Sequence, residues 1–208
     1  MSDKKYLKIA QHYEKCFLDH GDSHLGVDWP KKAEVDVRYD VMLNVIRPYK
    51  EDITFLDFGC GTAQLYQYIQ DQNIKGIIYS GLDISEKFIN ASQLKFPKID
   101  FYCMDVLKNE NKLPVFDYVV MNGVFTQKLG LTHEEMFAYL KELILCVFRH
   151  AKSGIAFNVM SKHVDWEQSG NFHLGYDELA YFLSKQVSRN FIIRNDYRLY
   201  EYTTYIYR

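Results

Sequence analysis

Cysteine is scarce in this sequence, and no two cysteines lie close together. The 208 residues include four of them, at Cys16, Cys60, Cys103 and Cys146. None forms a C-x-x-C pair, so we expect reduced, mostly buried thiols in a cytoplasmic protein. His20 and His24 are four residues apart, but Gly21 interrupts any helix between them. A zinc-binding histidine pair is therefore not expected, and we predict no metal site.

Long apolar runs and long basic runs are also missing. No apolar segment approaches the roughly 20 residues that span a membrane, and no apolar stretch follows the N-terminal residues. The formal net charge is −2, which gives the chain no general attraction for phosphate backbones. We therefore expect neither a membrane nor a nucleic acid as a partner. Two questions stay open, the oligomeric state and a local basic groove formed by Lys31, Lys32, Arg38 and Lys162.

The segment 53–63 is the most informative part of what is present. An apolar strand ends in Asp57, and Gly59 and Gly61 then alternate with small residues before a helix begins. In parallel α/β sheets, nucleotide-like ligands bind at the carboxyl ends of the strands. Gly59 allows a sharp turn, and Gly61, which has no Cβ, lets a ligand lie against the backbone. This segment therefore predicts a nucleotide-binding loop.

A second acid ends the next predicted strand. Asp83 lies twenty-six residues after Asp57, where a carboxylate can accept hydrogen bonds from both hydroxyls of a ribose. The alternative role for Asp83 is to cap the helix that begins near Ser85, although Ser85 can serve as that cap itself. A dinucleotide-binding loop would have a third glycine where this chain has Gln64, and no Walker A lysine follows. The pattern thus disfavours an NAD-dependent oxidoreductase and a P-loop enzyme.

Strands and helices alternate along the rest of the chain. The apolar patterns predict strands at 53–57, 78–83, 99–104, 116–122 and 154–160, and helices at 62–72, 85–95, 133–150 and 176–185. This alternation is typical of a mostly parallel sheet. The last two predicted strands, within 190–197 and 200–207, have only a short connection, which favours an antiparallel hairpin.

Two amphipathic helices are predicted before the first strand. They span 4–19 and 31–46, and the segment 21–30 between them is rich in turn residues. No repeat or linker interrupts the chain, so we expect one α/β domain over 1–208. Within it, residues 1–48 would form a helical lid over the carboxyl edge of the sheet, and residues 49–208 a Rossmann-like core.

The pattern Gly59-x-Gly61-x-Ala63, with Asp57 before it and Asp83 after it, resembles motif I of the class I S-adenosylmethionine-dependent methyltransferases. The resemblance extends from about residue 53 to the C-terminus, and the terminal hairpin is similar to the end of their seven-stranded fold. It implies a doubly wound, mostly parallel seven-stranded sheet with a C-terminal antiparallel hairpin and helices on both faces. It also implies S-adenosylmethionine as cofactor.

The resemblance implies roles for residues in the first two loops. Asp57 would order the glycine loop and contact the amino group of the cofactor; its alternative role is to cap the loop alone. Cys60 would be a small apolar filler between Gly59 and Gly61. Asp83 would bind the ribose, and Ile84 would pack on the adenine.

Residues after the third and fourth strands are assigned in the same way. Asp105 and the backbone of Val106 would contact the adenine, although Asp105 can also be a turn residue. Met104 would flank the adenine or belong to the core. Asn122 and Gly123 would face the methionine part of the cofactor, unless Asn122 only caps its strand.

The lid supplies further candidate cofactor contacts. Tyr13, Trp29, Arg38 and Tyr39 would close over the ligand, and Arg38 would pair with its α-carboxylate. The alternative for Arg38 is a solvated position on its helix.

The acceptor is predicted to be a small molecule. The sequence Asn-Gly-Val-Phe at 122–125 lacks the proline pair of enzymes that methylate base amines. Trp29, Trp166, Phe172 and Tyr176 would line a partly aromatic acceptor pocket. His163, His173 and Tyr176 fall where the family gathers acceptor residues, and the alternative for each of them is a structural or solvent-exposed position. No general base is assigned. The remaining alternatives are an NAD-dependent oxidoreductase and a non-catalytic protein that binds S-adenosylmethionine.

Overall fold

The computed structural model describes residues 5–47 and 52–208. Its strands are β1 Ile53–Phe58, β2 Ile77–Asp83, β3 Asp100–Cys103, β4 Phe116–Met121, β5 Ala151–Ser161, β6 His173–Leu174, β7 Phe191–Arg194 and β8 Glu201–Tyr207. Its α-helices are α1 Leu7–His20, α2 Val35–Leu43, α3 Gln64–Asp71, α4 Glu86–Lys95, α5 Val106–Asn109, α6 His133–Arg149 and α7 Tyr176–Gln186.

Seven strands form one continuous sheet in the order β3-β2-β1-β4-β5-β8-β7. The first five strands of this path are parallel to one another. β8 pairs antiparallel with both β5 and β7, which confirms the predicted terminal hairpin. The two-residue strand β6, which the sequence patterns did not reveal, pairs with the end of β5.

The two faces of the sheet bury separate apolar clusters. Alternate residues of β1 divide between them, as the period of a strand requires: Leu56 and Phe58 pack with α6 and α7, and Phe55 packs with α2 and α3. A capping box at Thr132, whose Oγ1 accepts from the backbone of Glu135, begins the long helix α6. The predicted helices on both faces are therefore confirmed.

The parallel register brings several strand ends to one edge of the sheet. Asp57 lies beside Gly81 on β2 and beside Val120 on β4, and Asp83 lies beside Cys103 on β3. The chain leaves β1 in the middle of this edge, with β2 on one side and β4 on the other. A crevice at such a switch point is the usual ligand site of an open α/β sheet.

The N-terminal helices differ from the prediction in their bounds. The second is shorter, because a 3₁₀ turn at Lys32–Glu34 precedes α2. The predicted boundary between residues 48 and 49 lies outside the described residues.

Helix α3 begins two residues later than predicted, since Ala63 has a left-handed backbone with φ +56°. Within the described ranges, no helix is both long and apolar enough to cross a membrane.

Candidate functional site

The glycine turn after β1 is tied to the neighbouring strand by its backbone. The N–H groups of Gly59 and Cys60 both donate to the carbonyl of Leu82, at 2.7 and 3.0 Å. Gly59 has φ +76°, and a Cβ there would lie 2.8 Å from a methyl carbon of Val124. Gly61 has φ +53°. Position 59 therefore requires glycine, whereas Gly61 has the left-handed backbone that glycine adopts most readily, and both glycines line a cavity.

Asp83 links the glycine turn to the start of α4. One carboxylate oxygen accepts from the N–H of Gly61 at 3.0 Å, and the other accepts from the N–H of Ser85 at 2.9 Å. Burial raises the pKa of Asp83 to about 6, although these N–H donors oppose the rise. The hydroxyl of Ser85 caps α4. Each carboxylate oxygen has a second lone pair that these two bonds do not use.

Asp57 lies behind the turn and is also buried. The hydroxyl of Tyr79 donates to its Oδ2 at 2.7 Å. Burial raises the pKa of Asp57 to about 7, and the charge of Asp83 adds to the rise, whereas the Tyr79 hydrogen bond opposes it. Two buried carboxyl groups thus end adjacent strands beneath one cavity.

The end of β3 meets the first helix. The hydroxyl of Tyr6 donates to Oδ2 of Asp105 at 2.8 Å, and Lys108 contacts the same oxygen. Val106 is buried, Met104 is half-buried, and all three residues at 104–106 line the cavity. Asp105 is therefore a paired carboxylate and not a free turn residue.

At the end of β4, one polar side chain has no partner. The N–H of Gly123 donates to Oδ1 of Asn158 at 2.8 Å, and Asn158 in turn donates to Glu201 at 2.9 Å. Asn122 lines the cavity, and among the described residues both polar atoms of its buried amide lack a hydrogen-bond partner. A buried amide left unpaired is costly. Its position on the cavity wall points to pairing with a bound ligand.

Residues 5–47 cover this edge of the sheet. The hydroxyl of Tyr13 donates to the carbonyl of Gly123 at 3.3 Å. Trp29 lies over the same glycine, 3.7 Å from where a Cβ there would stand. Asp22 accepts a hydrogen bond of 2.6 Å from the hydroxyl of Thr62. Side-chain contacts of this kind close the cavity on the side opposite the sheet.

All the predicted cofactor contacts except Arg38 line this one cavity. They come from the predicted lid, from the turn after β1, and from the ends of β2, β3 and β4. They are Tyr13, Asp57, Gly59, Cys60, Gly61, Asp83, Ile84, Met104, Asp105, Val106, Asn122 and Gly123, together with Trp29 and Tyr39 of the predicted lid. Whether these residues bind a cofactor stays a prediction.

A family model described as a methyltransferase domain matches residues 56–154. The magnesium protoporphyrin IX methyltransferase of Synechocystis, solved with S-adenosylmethionine bound, is similar over all of this chain and 98% of its own, at 17% identity and a TM-score of 0.67. This chain has the class I methyltransferase fold. An S-adenosylmethionine-dependent methyltransferase from Aquifex aeolicus shares that fold over 85% of this chain and 93% of its own, at 17% identity and a TM-score of 0.61.

One curated protein that is not named as a methyltransferase is also similar. Iron sulfur cluster assembly protein 1 of Trachipleistophora hominis is 27% identical over 132 residues, which cover 57% of this chain and 95% of that protein. Identity at this level does not transfer a function. Among the described residues, no two cysteines belong to one cluster of potential metal ligands; Cys16 alone lies in such a cluster.

Arg38 differs from the other predicted cofactor contacts in its surroundings. Its Nε donates to both carboxylate oxygens of Glu201, at 3.1 and 3.2 Å, and its Nη2 contacts Glu34 at 3.3 Å. The side chain is only 10% exposed and lies outside the cavity lining. The solvated position on its helix is therefore wrong. The cofactor contact stays a prediction, since among the described residues Nη1 of Arg38 is buried without a hydrogen-bond partner. Arg38 neutralises the buried Glu201, which holds Asn158 beneath the cavity.

The aromatic acceptor pocket was predicted from residues that the fold separates. Trp29 lines the cavity, but Trp166 is exposed and Phe172 is fully buried behind α6. His173 is buried, and its two ring nitrogens bond to the backbones of Ser161 and Gln168. The other two candidates, His163 and Tyr176, stack on each other away from the cavity lining.

Several lining residues were missed by the sequence analysis. Tyr6 and Val27 belong to the cover, Gln64 begins α3, and Tyr139 and Leu143 lie on α6. Gln64 was noted only as the residue in place of a third glycine; its side chain contacts Asp22 and the hydroxyl of Tyr39. The i, i+4 spacing of Tyr139 and Leu143 marks one helix face, but the sequence does not say which end of the sheet that face meets.

Proposed function

We propose that this chain binds S-adenosylmethionine in the cavity and transfers its methyl group to a small-molecule acceptor. The observation that carries the proposal is a convergence on one cavity: the glycine turn, the buried Asp83 and the unpaired amide of Asn122. The methyltransferase domain match supports it, as does the similar Synechocystis enzyme, which was solved with this cofactor.

The residues of the cavity fit the cofactor group by group. Asp83 has lone pairs for the ribose hydroxyls, and Gly61 leaves room beside the backbone. Tyr6 and Lys108 both use Oδ2 of Asp105, so among the described residues Oδ1 is the oxygen left for the adenine amine. The unpaired amide of Asn122 and the backbone of Gly123 fit the polar methionine end.

When bound, the cofactor supplies a methyl group that its positively charged sulfur has already activated. The chain then has to hold an acceptor in line and exclude water, since orientation alone accounts for much of such a rate enhancement. Trp29 and Tyr39 close the cavity on the cover side, and Tyr13 fastens the cover to Gly123. No residue is assigned as a general base.

The lining favours an acceptor without phosphate groups. Among the described residues, no lysine, arginine or histidine lines the cavity, whereas Tyr13, Trp29, Tyr39 and Tyr139 do. A phosphate-rich acceptor would find no cation there. An apolar or aromatic small molecule suits such walls, and a ligand pocket of this composition is common for small molecules.

Two experiments test this function and separate it from its alternatives. Calorimetry with S-adenosylmethionine and with NAD should show binding of the first alone; binding of NAD alone would favour the oxidoreductase. Incubation of cell extract with methyl-labelled cofactor should then put label into the low-molecular-weight fraction. Cofactor binding without label transfer would favour the non-catalytic alternative, and label in nucleic acid or protein would overturn the acceptor class.

A further inference from the structure

Three side chains of different chemistry converge between the first helix and the loop that follows it. His12 and Cys16 lie four residues apart on one face of α1, with His12 Nε2 3.7 Å from Cys16 Sγ. Asp28 reaches them from the loop, with its Oδ2 2.9 Å from His12 Nε2. All three potential ligand atoms lie within 4.8 Å of one another. In the described part of the chain, no other group of three such residues comes together.

From this arrangement we propose a binding site for zinc or a similar divalent transition-metal ion, held by His12, Cys16 and Asp28. An imidazole, a thiolate and a carboxylate are the three ligand types that zinc takes in proteins. Three protein ligands leave the fourth tetrahedral position for water. This inference does not rest on the proposed methyl transfer.

The separations suit such a site. Tetrahedral zinc with bonds of 2.0–2.3 Å places its nitrogen and sulfur ligands about 3.6 Å apart, and its nitrogen and oxygen ligands about 3.4 Å apart. The His12–Cys16 separation of 3.7 Å already matches the first value. The His12–Asp28 hydrogen bond of 2.9 Å would open by about half an ångström as the ion replaces its proton.

The surroundings also support Asp28 as a ligand. The amide of Gln127 donates to Oδ2 of Asp28 at 3.1 Å, which orients the carboxylate as outer hydrogen bonds do at metal sites. His12 and Asp28 are each about one-third exposed, at 32% and 36% of their side chains, so an ion can enter from solvent. Binding would release the proton of the Cys16 thiol, because the thiolate is the ligand form.

A bound ion would connect two segments of the cover over the cavity, helix α1 and the loop that contains Asp28. Its ligands precede two residues of the cavity lining, since Tyr13 follows His12 and Trp29 follows Asp28. An ion bound by α1 and by the loop would tie both segments together. We therefore expect zinc to raise the melting temperature of the protein, as any ligand of the folded state does.

The test measures metal binding directly on the full chain, with variants and a matched control. Equilibrium dialysis with Zn²⁺ should give one ion per chain, and Co²⁺ should give the intense absorption band of a cobalt–thiolate bond. Cys16→Ser should lose the cobalt band, and Asp28→Asn should bind Zn²⁺ at least tenfold more weakly; asparagine tolerates the left-handed backbone at this position, where φ is +59°. Cys103→Ser, at an exposed cysteine outside the cluster, should behave like the wild type.

Absence of Zn²⁺ binding in the wild type would overturn the proposal and leave His12–Asp28 as an ordinary hydrogen bond. Equal Zn²⁺ binding by Cys16→Ser and the wild type would place the ion elsewhere and overturn it as well. Circular dichroism of each apo variant checks that it is folded, and the Asp28→Asn variant keeps the test decisive if Cys16→Ser is not.

Discussion

The two walls of the cavity are held in different ways. On the sheet side, backbone groups and buried carboxylates hold one another, as when Gly61 donates to Asp83 and Gly59 donates to Leu82. On the cover side, the contacts run between side chains or from a side chain to the sheet, as with Tyr13 and Asp22. The sheet wall is therefore fixed by the fold itself, whereas the cover depends on a few replaceable side-chain contacts.

This difference predicts that changes in the sheet wall will affect binding most. Gly61→Arg should abolish detectable S-adenosylmethionine binding, because a large side chain would fill space that lies against the backbone, at a residue with positive φ. Calorimetry measures the loss. Gly130→Arg is the control, since a Cβ there meets no atom within 4 Å and the residue lies outside the cavity lining, so binding should be unchanged. Retained affinity in Gly61→Arg would move the cofactor away from the turn.

The sheet wall was largely predictable from the sequence for the same reason. Its residues lie at fixed positions relative to strand ends, and strand ends are visible as apolar runs that stop at Asp57, Asp83 and Asn122. The register of parallel strands then brings these ends together. No comparable rule locates cover residues.

The cover and the acceptor region depend on pairings between distant segments. The sequence left Arg38 between a ligand contact and a solvated position, because its buried partner, Glu201, lies 163 residues away in the sequence. For His173 the sequence left an acceptor role and a structural role open, and the backbone bonds to both of its ring nitrogens favour the structural role. A sequence pattern reports the chemistry of a side chain but not which distant group satisfies it.

The buried acids of the sheet wall should cost stability at high pH. Burial raises the pKa of Asp57 to about 7, so its stabilising contribution is complete below about pH 4 and is lost as the pH rises through 7. The free energy of unfolding of Asp57→Asn should therefore be about 2–4 kcal/mol higher than that of the wild type at pH 8. This gain in stability should shrink toward zero near pH 4.

Urea denaturation of Asp57→Asn and the wild type, at pH 8 and at pH 5, measures whether the gain in stability is larger at the higher pH. The control is Asp100→Asn at the exposed start of β3, which should show no such trend. A gain that stays equal at both pH values would mean that Asp57 does not titrate in this range.

Asp83 tests the importance of the sheet wall through its effect on cofactor affinity. Asp83→Ala should weaken S-adenosylmethionine binding by about 1.5–3 kcal/mol, the range for hydrogen bonds to a charged group. Because the pKa of Asp83 is raised to about 6, wild-type affinity should also fall as the pH drops below 6. Calorimetry from pH 5 to 8 measures both effects. If Asp83→Ala bound like the wild type, the ribose assignment would be wrong.

Changes in the cover should have the smallest effects. Tyr13→Phe removes only the hydroxyl that donates to the carbonyl of Gly123 and shares a hydrogen bond with Oγ1 of Thr126, so we expect a loss of about 0.5–1.5 kcal/mol in cofactor affinity. Tyr181→Phe, at a tyrosine that is 68% exposed, is the control and should change nothing. A loss as large as that of Asp83→Ala would erase the distinction between the two walls.

Hydrogen exchange with and without S-adenosylmethionine tests most directly whether both walls enclose one cofactor. Added cofactor should slow exchange in the sheet wall, at 57–61, 83–85 and 104–106, and also in the cover, at 6–29. The segment 161–176, which lies away from the cavity lining, should be unaffected. Protection confined to the sheet wall would contradict the role of the cover, and no protection in either wall would contradict the cofactor site itself.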